Sequence, residues 1–143
     1  MMTNKNFSYS FETSKTSDEV FRLLLQIPQW WSGVYEETIT GKSEQLNDEF
    51  GFKAGGGMHN TKQKLVELVP NEKIVWLVTA SNLTFLSDPG EWMDTRICFD
   101  ISARNNRTLV TFVHEGLVPG IECYDACSGG WTQYLERLEK KLK

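Results

Sequence analysis

Apolar and polar residues recur at two different spacings along this 143-residue chain, and each spacing predicts a different kind of element. Residues 6–12 alternate aromatic with polar side chains, which is the period of a half-buried strand. The sequence Thr16-Ser17-Asp18-Glu19 is a capping box, and it predicts a helix whose apolar residues over 20–25 share one face. Pro28 either ends this helix or begins a second short one that holds Trp30-Trp31.

A run of strands and turns is predicted from residue 35 to about residue 117. Residues 74–78 within it are almost continuously apolar, as is typical of a central strand that is covered on both faces. Clusters of glycine, proline, asparagine and aspartate mark the turns. The predicted strands cover residues 35–41, 49–54, 61–69, 73–81, 91–103 and 107–115.

A long amphipathic helix is predicted after Pro119-Gly120, where apolar residues begin to recur at helical spacing. Gly129-Gly130 lies inside this pattern, at a cost of about 2 kcal/mol relative to two alanines. Two interpretations stay open: the glycines allow a close approach to the sheet or a bend over a cavity, or the helix begins only near Trp131. The apolar positions are Cys127, Trp131, Tyr134, Leu135, Leu138 and Leu142.

This order of elements predicts an α+β fold in one domain, residues 1–143, with helices on one face of a curved antiparallel sheet. A long helix cannot lie flat on a curved sheet. A cavity therefore remains where the helix and the sheet diverge, unless large side chains fill it. The five tryptophans come from four elements, and each of them is either core or cavity wall. The predicted ligand-binding residues are Trp31, Trp76, Phe85, Trp92, Trp131 and Tyr134, with His114 as a polar anchor.

The composition of the chain limits the classes of partner and the cellular compartment that are expected. The apolar fraction of 40% and the charged fraction of 24% are typical of globular domains. The net charge of −4 and the scattered basic residues argue against nucleic-acid binding. No stretch approaches the ~18 apolar residues of a membrane span, and the polar start predicts no signal peptide. Three cysteines without CxxC spacing predict no disulfide framework, so a cytoplasmic location is expected.

Motif spacing assigns no catalytic residue, metal site or cofactor. The pair His114-Glu115 would begin HExxH, but Val118 stands where the second histidine belongs. His59 stands apart in a glycine-rich turn. Cys123 and Cys127 could share a helix face, but a structural zinc site needs four ligands, so core packing is the better prediction. P-loop, nucleophile-elbow and dinucleotide-binding motifs are missing.

The chain resembles the family named for the C-terminal domain of the activator of the heat-shock protein 90 ATPase, within the START-like (SRPBCC) helix-grip superfamily. The resemblance implies a curved antiparallel sheet wrapped around a long C-terminal helix, two short helices after the first strand, and an internal hydrophobic cavity. The segments that carry it, in order, are Phe7 with Phe11, Ser17 to Phe21, Trp30-Trp31, Gly41, Leu65 to Pro70, Lys73 to Trp76, Thr108 to Thr111, His114 to Leu117, Gly130-Trp131, and Leu135 with Leu138.

Three hypotheses for function follow from the residues and the resemblance together. The first is a binding domain for a small hydrophobic or aromatic ligand, lipids included. The second is a protein-interaction or stress-response accessory domain with a chaperone or another protein as partner, acting as a monomer or a homodimer. The ATPase-activating role belongs to relatives with an additional N-terminal domain, so it is not expected of these residues alone. The third is a cyclase- or hydrolase-like enzyme that uses His114 or Glu115 with Tyr124 or Asp125.

Overall fold

Seven strands form one antiparallel sheet in the computed structural model, which describes residues 5–143. The elements are β1 Phe7–Thr13, α1 Ser17–Leu25, α2 Ile27–Trp30, β2 Thr38–Gly41, β3 Glu49–Ala54, β4 His59–Val69, β5 Lys73–Leu83, β6 Arg96–Arg104, β7 Arg107–Glu115 and α3 Tyr124–Lys141. The order of the strands across the sheet is β1-β7-β6-β5-β4-β3-β2, so the first strand of the chain pairs with the last. The predicted α+β helix-grip architecture is confirmed.

The two short helices begin where the sequence predicts. The Thr16 hydroxyl oxygen accepts a hydrogen bond from the backbone N–H of Glu19 at 3.1 Å, which caps α1. Pro28 lies in the first turn of α2, where the missing N–H of proline costs nothing. The indole N–H of Trp30 donates to the carbonyl of Leu24 at 2.9 Å, and this bond joins the two helices.

The seven-stranded sheet is curved. The central strand β5 is the one whose apolar run predicts burial on both faces, and Ile74, Val75 and Trp76 are all buried. The pairing of β4 with β5 shifts register at two places, after Lys62 and after Leu65. Such irregularities increase the local twist and bend the sheet. The concave face therefore closes around the helices.

Helix α3 runs through both glycines, so the interpretation that it begins near Trp131 is wrong. The close-approach interpretation is also wrong, because a Cβ atom at Gly129 or Gly130 would meet no atom of the sheet within 4 Å. The helix begins at Tyr124, and a residue distant in the sequence stabilises its first turn. The Glu91 carboxylate accepts hydrogen bonds from the backbone N–H groups of Glu122 at 3.0 Å and Cys123 at 2.9 Å.

Residues 84–95 form a loop, so the prediction that a strand begins at residue 91 is wrong. Turn hydrogen bonds join Met93 to Gly90 and Thr95 to Trp92, and Asp94 has a φ of +65°. These features are incompatible with an extended strand. Trp92 is therefore a loop residue, and β6 begins only at Arg96.

The expectation that the cysteines form no disulfide is also wrong for two of the three. Cys123 and Cys127 are joined across one turn at the start of α3, with Cα atoms 5.4 Å apart. A single helical turn brings their side chains onto one face, which the sequence spacing could have indicated. Cys98 is a buried free thiol.

Replacing Gly41 by alanine is expected to lower the free energy of unfolding by about 2 kcal/mol. Gly41 has a φ of +85°, and a Cβ atom there would collide with the carbonyl of Glu49 on the paired strand. Gly56→Ala is the matched control, because φ is +70° there and nothing lies within 4 Å of a Cβ. Urea unfolding followed by circular dichroism measures both. Equal losses in the two variants would mean that the collision at Gly41 contributes nothing.

Candidate functional site

A cavity of about 270 Å³ lies where α3 diverges from β3, β4 and the 84–95 loop. This volume lies just below the roughly 300–1,000 Å³ that is usual for small-molecule sites. Small residues on two sides leave the space open, and aromatic side chains make most of its walls. The lining residues are Trp31, Tyr35, Phe52, Ala54, Gly55, Met58, His59, Phe85, Trp92, Ala126, Cys127, Gly130, Trp131 and Tyr134.

Trp31 and Trp92 both pack against Trp131, and this packing fixes the tryptophans of the cavity wall. The Trp31 ring stacks on Phe52 with centroids 4.1 Å apart and lies 4.7 Å from the Trp131 ring. Trp92 and Trp131 are nearly parallel, at 7° and 6.0 Å. Each of the three tryptophans is at most 3% exposed. Because their rings are fixed by packing, the cavity is formed before any ligand enters.

Five of the seven predicted site residues meet at this cavity: Trp31, Phe85, Trp92, Trp131 and Tyr134. The other two, Trp76 and His114, do not line it. Trp76 packs in the core against the rings of Trp30, Phe50 and Phe99, and its indole N–H donates to the Ser43 hydroxyl at 2.8 Å.

His114 is fully buried, and both of its ring nitrogens are occupied. The indole N–H of Trp131 donates to Nδ1 at 3.0 Å, and Nε2 lies 2.9 Å from the Thr95 hydroxyl oxygen. The Thr95 hydroxyl in turn donates to the Trp92 carbonyl at 2.6 Å. An indole can only donate, so the proton of His114 is on Nε2. Burial lowers the pKa of His114 to about 3. His114 therefore joins α3 to the loop and leaves no nitrogen for a ligand.

His59 is the polar residue of the cavity wall that the sequence argument missed. Its ring lies edge-to-face against Phe52 at 5.1 Å and against Trp92 at 4.8 Å. Nε2 is 3.5 Å from the Thr61 hydroxyl oxygen, and Nδ1 has no hydrogen bond to any residue in 5–143. Burial lowers the pKa of His59 to about 4. Thr61 and Gln63 point inward on the same strand, and extending that alternation back by two residues would have placed His59 inward too.

Glu37 organises the segment at the mouth of the cavity. Its carboxylate accepts hydrogen bonds from the backbone N–H groups of Gly33 (2.7 Å), Val34 (3.0 Å) and Tyr35 (2.8 Å), and from the Tyr134 hydroxyl (2.6 Å). Burial opposes the ionisation of Glu37, but these hydrogen bonds outweigh the effect of burial and lower the pKa of Glu37 to about 2.

The hydrogen bonds to Glu37 also hold residues 33–35 as a loop. The strand predicted from residue 35 therefore begins at Thr38.

The mouth itself is apolar and exposed. Tyr35, Met58 and Phe85 line the cavity and are 44%, 49% and 40% exposed. Within the described part of the chain, no group of histidine, cysteine and carboxylate side chains could hold a metal ion. No helix in that part is both long and apolar enough to cross a bilayer.

Residues 16–143 match the family model of activator of Hsp90 ATPase homolog 1-like proteins. A search of curated proteins found no match. An Aha1 dimer from Colwellia psychrerythraea has a similar structure, with 21% identity and a TM-score of 0.75 over 96% of this chain and 95% of that one. A protein from Chromobacterium violaceum has 19% identity and a TM-score of 0.74 over 96% of each chain. One from Mesorhizobium loti has 19% identity and a TM-score of 0.69 over 94% of this chain and 95% of that one.

Proposed function

The chain belongs to the family of activator of Hsp90 ATPase homolog 1-like proteins, and on this premise we propose that it binds a small hydrophobic or aromatic molecule in the cavity beneath α3. The observation that carries the proposal is the cavity of about 270 Å³ with walls of aromatic side chains. Burying apolar ligand surface there is worth about 25 cal/mol per Å². The fixed rings lose little conformational freedom on binding, so ordering the protein side chains offsets little of this gain.

Gly130 supports the same proposal. It lies on the face of α3 that lines the cavity, and a side chain at this position would project into open space. An interior helix glycine is destabilising by about 1 kcal/mol relative to alanine. At Gly130 the missing side chain leaves the cavity open. Ligand binding would therefore explain why the helix keeps a destabilising glycine there.

The test uses two leucine substitutions in the same helix. Gly130→Leu fills the cavity, whereas Gly129→Leu adds the same side chain at an exposed neighbouring position. With the neutral fluorescent probe N-phenyl-1-naphthylamine, we expect Gly129→Leu to bind like the unsubstituted protein. Gly130→Leu should bind at least about tenfold more weakly, because a ligand that must compete with a buried leucine loses more than 1.4 kcal/mol. Both variants should unfold at the same or a higher temperature.

Either of two results would contradict the proposal. One is a probe affinity that Gly130→Leu leaves unchanged. The other is no binding by the unsubstituted protein of this probe or of a panel of fatty acids, sterols and flavonoids, followed by thermal shift and tryptophan fluorescence.

A second candidate function is protein interaction at the cavity mouth, and the exposed apolar residues Tyr35, Met58 and Phe85 favour it. The structure from Colwellia psychrerythraea is described as a dimer, so a second copy of the chain is one partner to test. Light scattering across a concentration series, with Met58→Lys as the variant, measures this directly. A mass that stays monomeric throughout would count against self-association.

A further inference from the structure

We infer that the cavity selects neutral aromatic ligands carrying a carbonyl-type oxygen, that His59 recognises this oxygen, and that the cavity excludes carboxylates. The inference rests on the proposed function and specifies its ligand class. It comes from the charges and the free hydrogen-bonding groups of the cavity wall.

The wall offers no positive charge to a ligand. None of the described residues that line the cavity is a lysine, arginine, aspartate or glutamate. One wall residue is hydrogen-bonded to a negative charge, because the Tyr134 hydroxyl donates to the Glu37 carboxylate at 2.6 Å. A carboxylate that entered the cavity would lose its hydration without gaining a charged partner, and burying an unpaired charge is strongly unfavourable.

His59 is a wall residue with a ring nitrogen that makes no hydrogen bond to the described residues. The Tyr134 hydroxyl proton is taken by Glu37, and His114 uses both nitrogens inside the core. Nδ1 of His59 has no hydrogen bond within the described chain, although its ring is held between Phe52 and Trp92. The neighbouring Trp92 Nε1 is buried and also lacks a partner among the described residues. Two ring nitrogens without partners among the described residues therefore lie in adjacent rings of one wall.

The hydrogen bonds around Thr61 are compatible with a proton on Nδ1 of His59. The Thr61 hydroxyl oxygen already accepts from the Gln63 amide at 2.6 Å. Its own hydrogen finds an acceptor if it is donated to Nε2 of His59, 3.5 Å away. That arrangement puts the histidine proton on Nδ1, the nitrogen without a protein partner. His59 then offers an N–H, which a ketone, ester or ether oxygen accepts.

The experiment compares three naphthalenes of similar size by calorimetry and tryptophan fluorescence at pH 7.5: 2-acetylnaphthalene, 2-isopropylnaphthalene and 2-naphthoate. We expect the ketone to bind about fivefold more tightly than the hydrocarbon, the worth of one buried hydrogen bond. Naphthoate should bind at least about a hundredfold more weakly than the ketone. His59→Phe should bring the affinities for the ketone and the hydrocarbon to the same value.

Two further variants separate recognition from folding. His59→Asn keeps a side-chain N–H close to the position of Nδ1, so it should retain the preference for the ketone. Gly129→Ala changes an exposed residue of α3 that does not line the cavity, and it should leave both affinities unchanged.

The outcomes distinguish this inference from the proposed function. Equal binding of ketone and hydrocarbon, in the presence and the absence of His59, would overturn the inference while the proposed function stands. Naphthoate binding as tight as that of the ketone, with proton uptake measured in two buffers, would overturn it by showing an ionised His59. No binding of any of the three compounds would contradict the proposed function itself.

Discussion

Replacing Trp131 by alanine is expected to lower the free energy of unfolding by about 4 kcal/mol. The Trp131 ring is 2% exposed and lies between the sheet and both neighbouring tryptophans, 4.6 Å from Phe112, 4.7 Å from Trp31 and 6.0 Å from Trp92. Alanine would remove this packing and leave Nδ1 of His114 buried without a donor. Urea unfolding measured by circular dichroism tests the size of the loss.

Trp131→Phe divides this loss into its two parts. Phenylalanine keeps an aromatic ring in the packing but cannot donate to His114, so we expect it to cost about 2 kcal/mol. A loss in Trp131→Phe as large as that in Trp131→Ala would mean that the hydrogen bond, and not the packing, dominates. A loss below about 1 kcal/mol in Trp131→Ala would contradict the central place of this ring in the core.

Lowering the pH from 7 to 5 is expected to reduce the free energy of unfolding by about 3–4 kcal/mol. Burial lowers the pKa of His114 to about 3 and that of His59 to about 4, from an ordinary value of 6.5. The unfolded chain therefore binds more protons than the folded protein below pH 6.5. The stability from the neutral histidines is fully present above pH 6.5, and it is lost as the pH falls toward 4 for His59 and toward 3 for His114.

The His59→Asn variant checks this pH dependence. It removes one of the two histidines whose pKa is lowered, so the loss of stability between pH 7 and pH 5 should fall to about half. Glu37, with a pKa lowered to about 2 from 4.5, acts only below this window. Urea unfolding at both pH values measures each loss. An unsubstituted protein that is as stable at pH 5 as at pH 7 would show that the histidines are not held neutral by the fold.

Local signals in the sequence determined most of the elements. The capping box at Thr16 and the position of Pro28 placed α1 and α2, because caps and proline act within a single turn. Strands β3 and β7 begin and end where their alternation predicts. The order of the elements and the resemblance together gave the helix-grip fold, since a sheet with one apolar face must bury it against the helices.

The sequence predicted some of the residues that line the cavity. Five of the seven predicted site residues line it because aromatic residues just after α2, on α3 and in the 84–95 loop converge over the concave face. Ligand binding by these residues stays a prediction that the cavity-filling substitution at Gly130 tests.

The tertiary structure alone decided the roles of the two histidines and of Trp76. Alternation along a strand determines which face a side chain occupies, but not what covers that face at each point. His114 lies under Trp131 and the Thr95 hydroxyl, so it is part of the core. His59 lies where the 84–95 loop and α3 diverge from the sheet, so it faces the cavity. Contacts between residues tens of positions apart set these differences, and the local pattern of the sequence does not encode them.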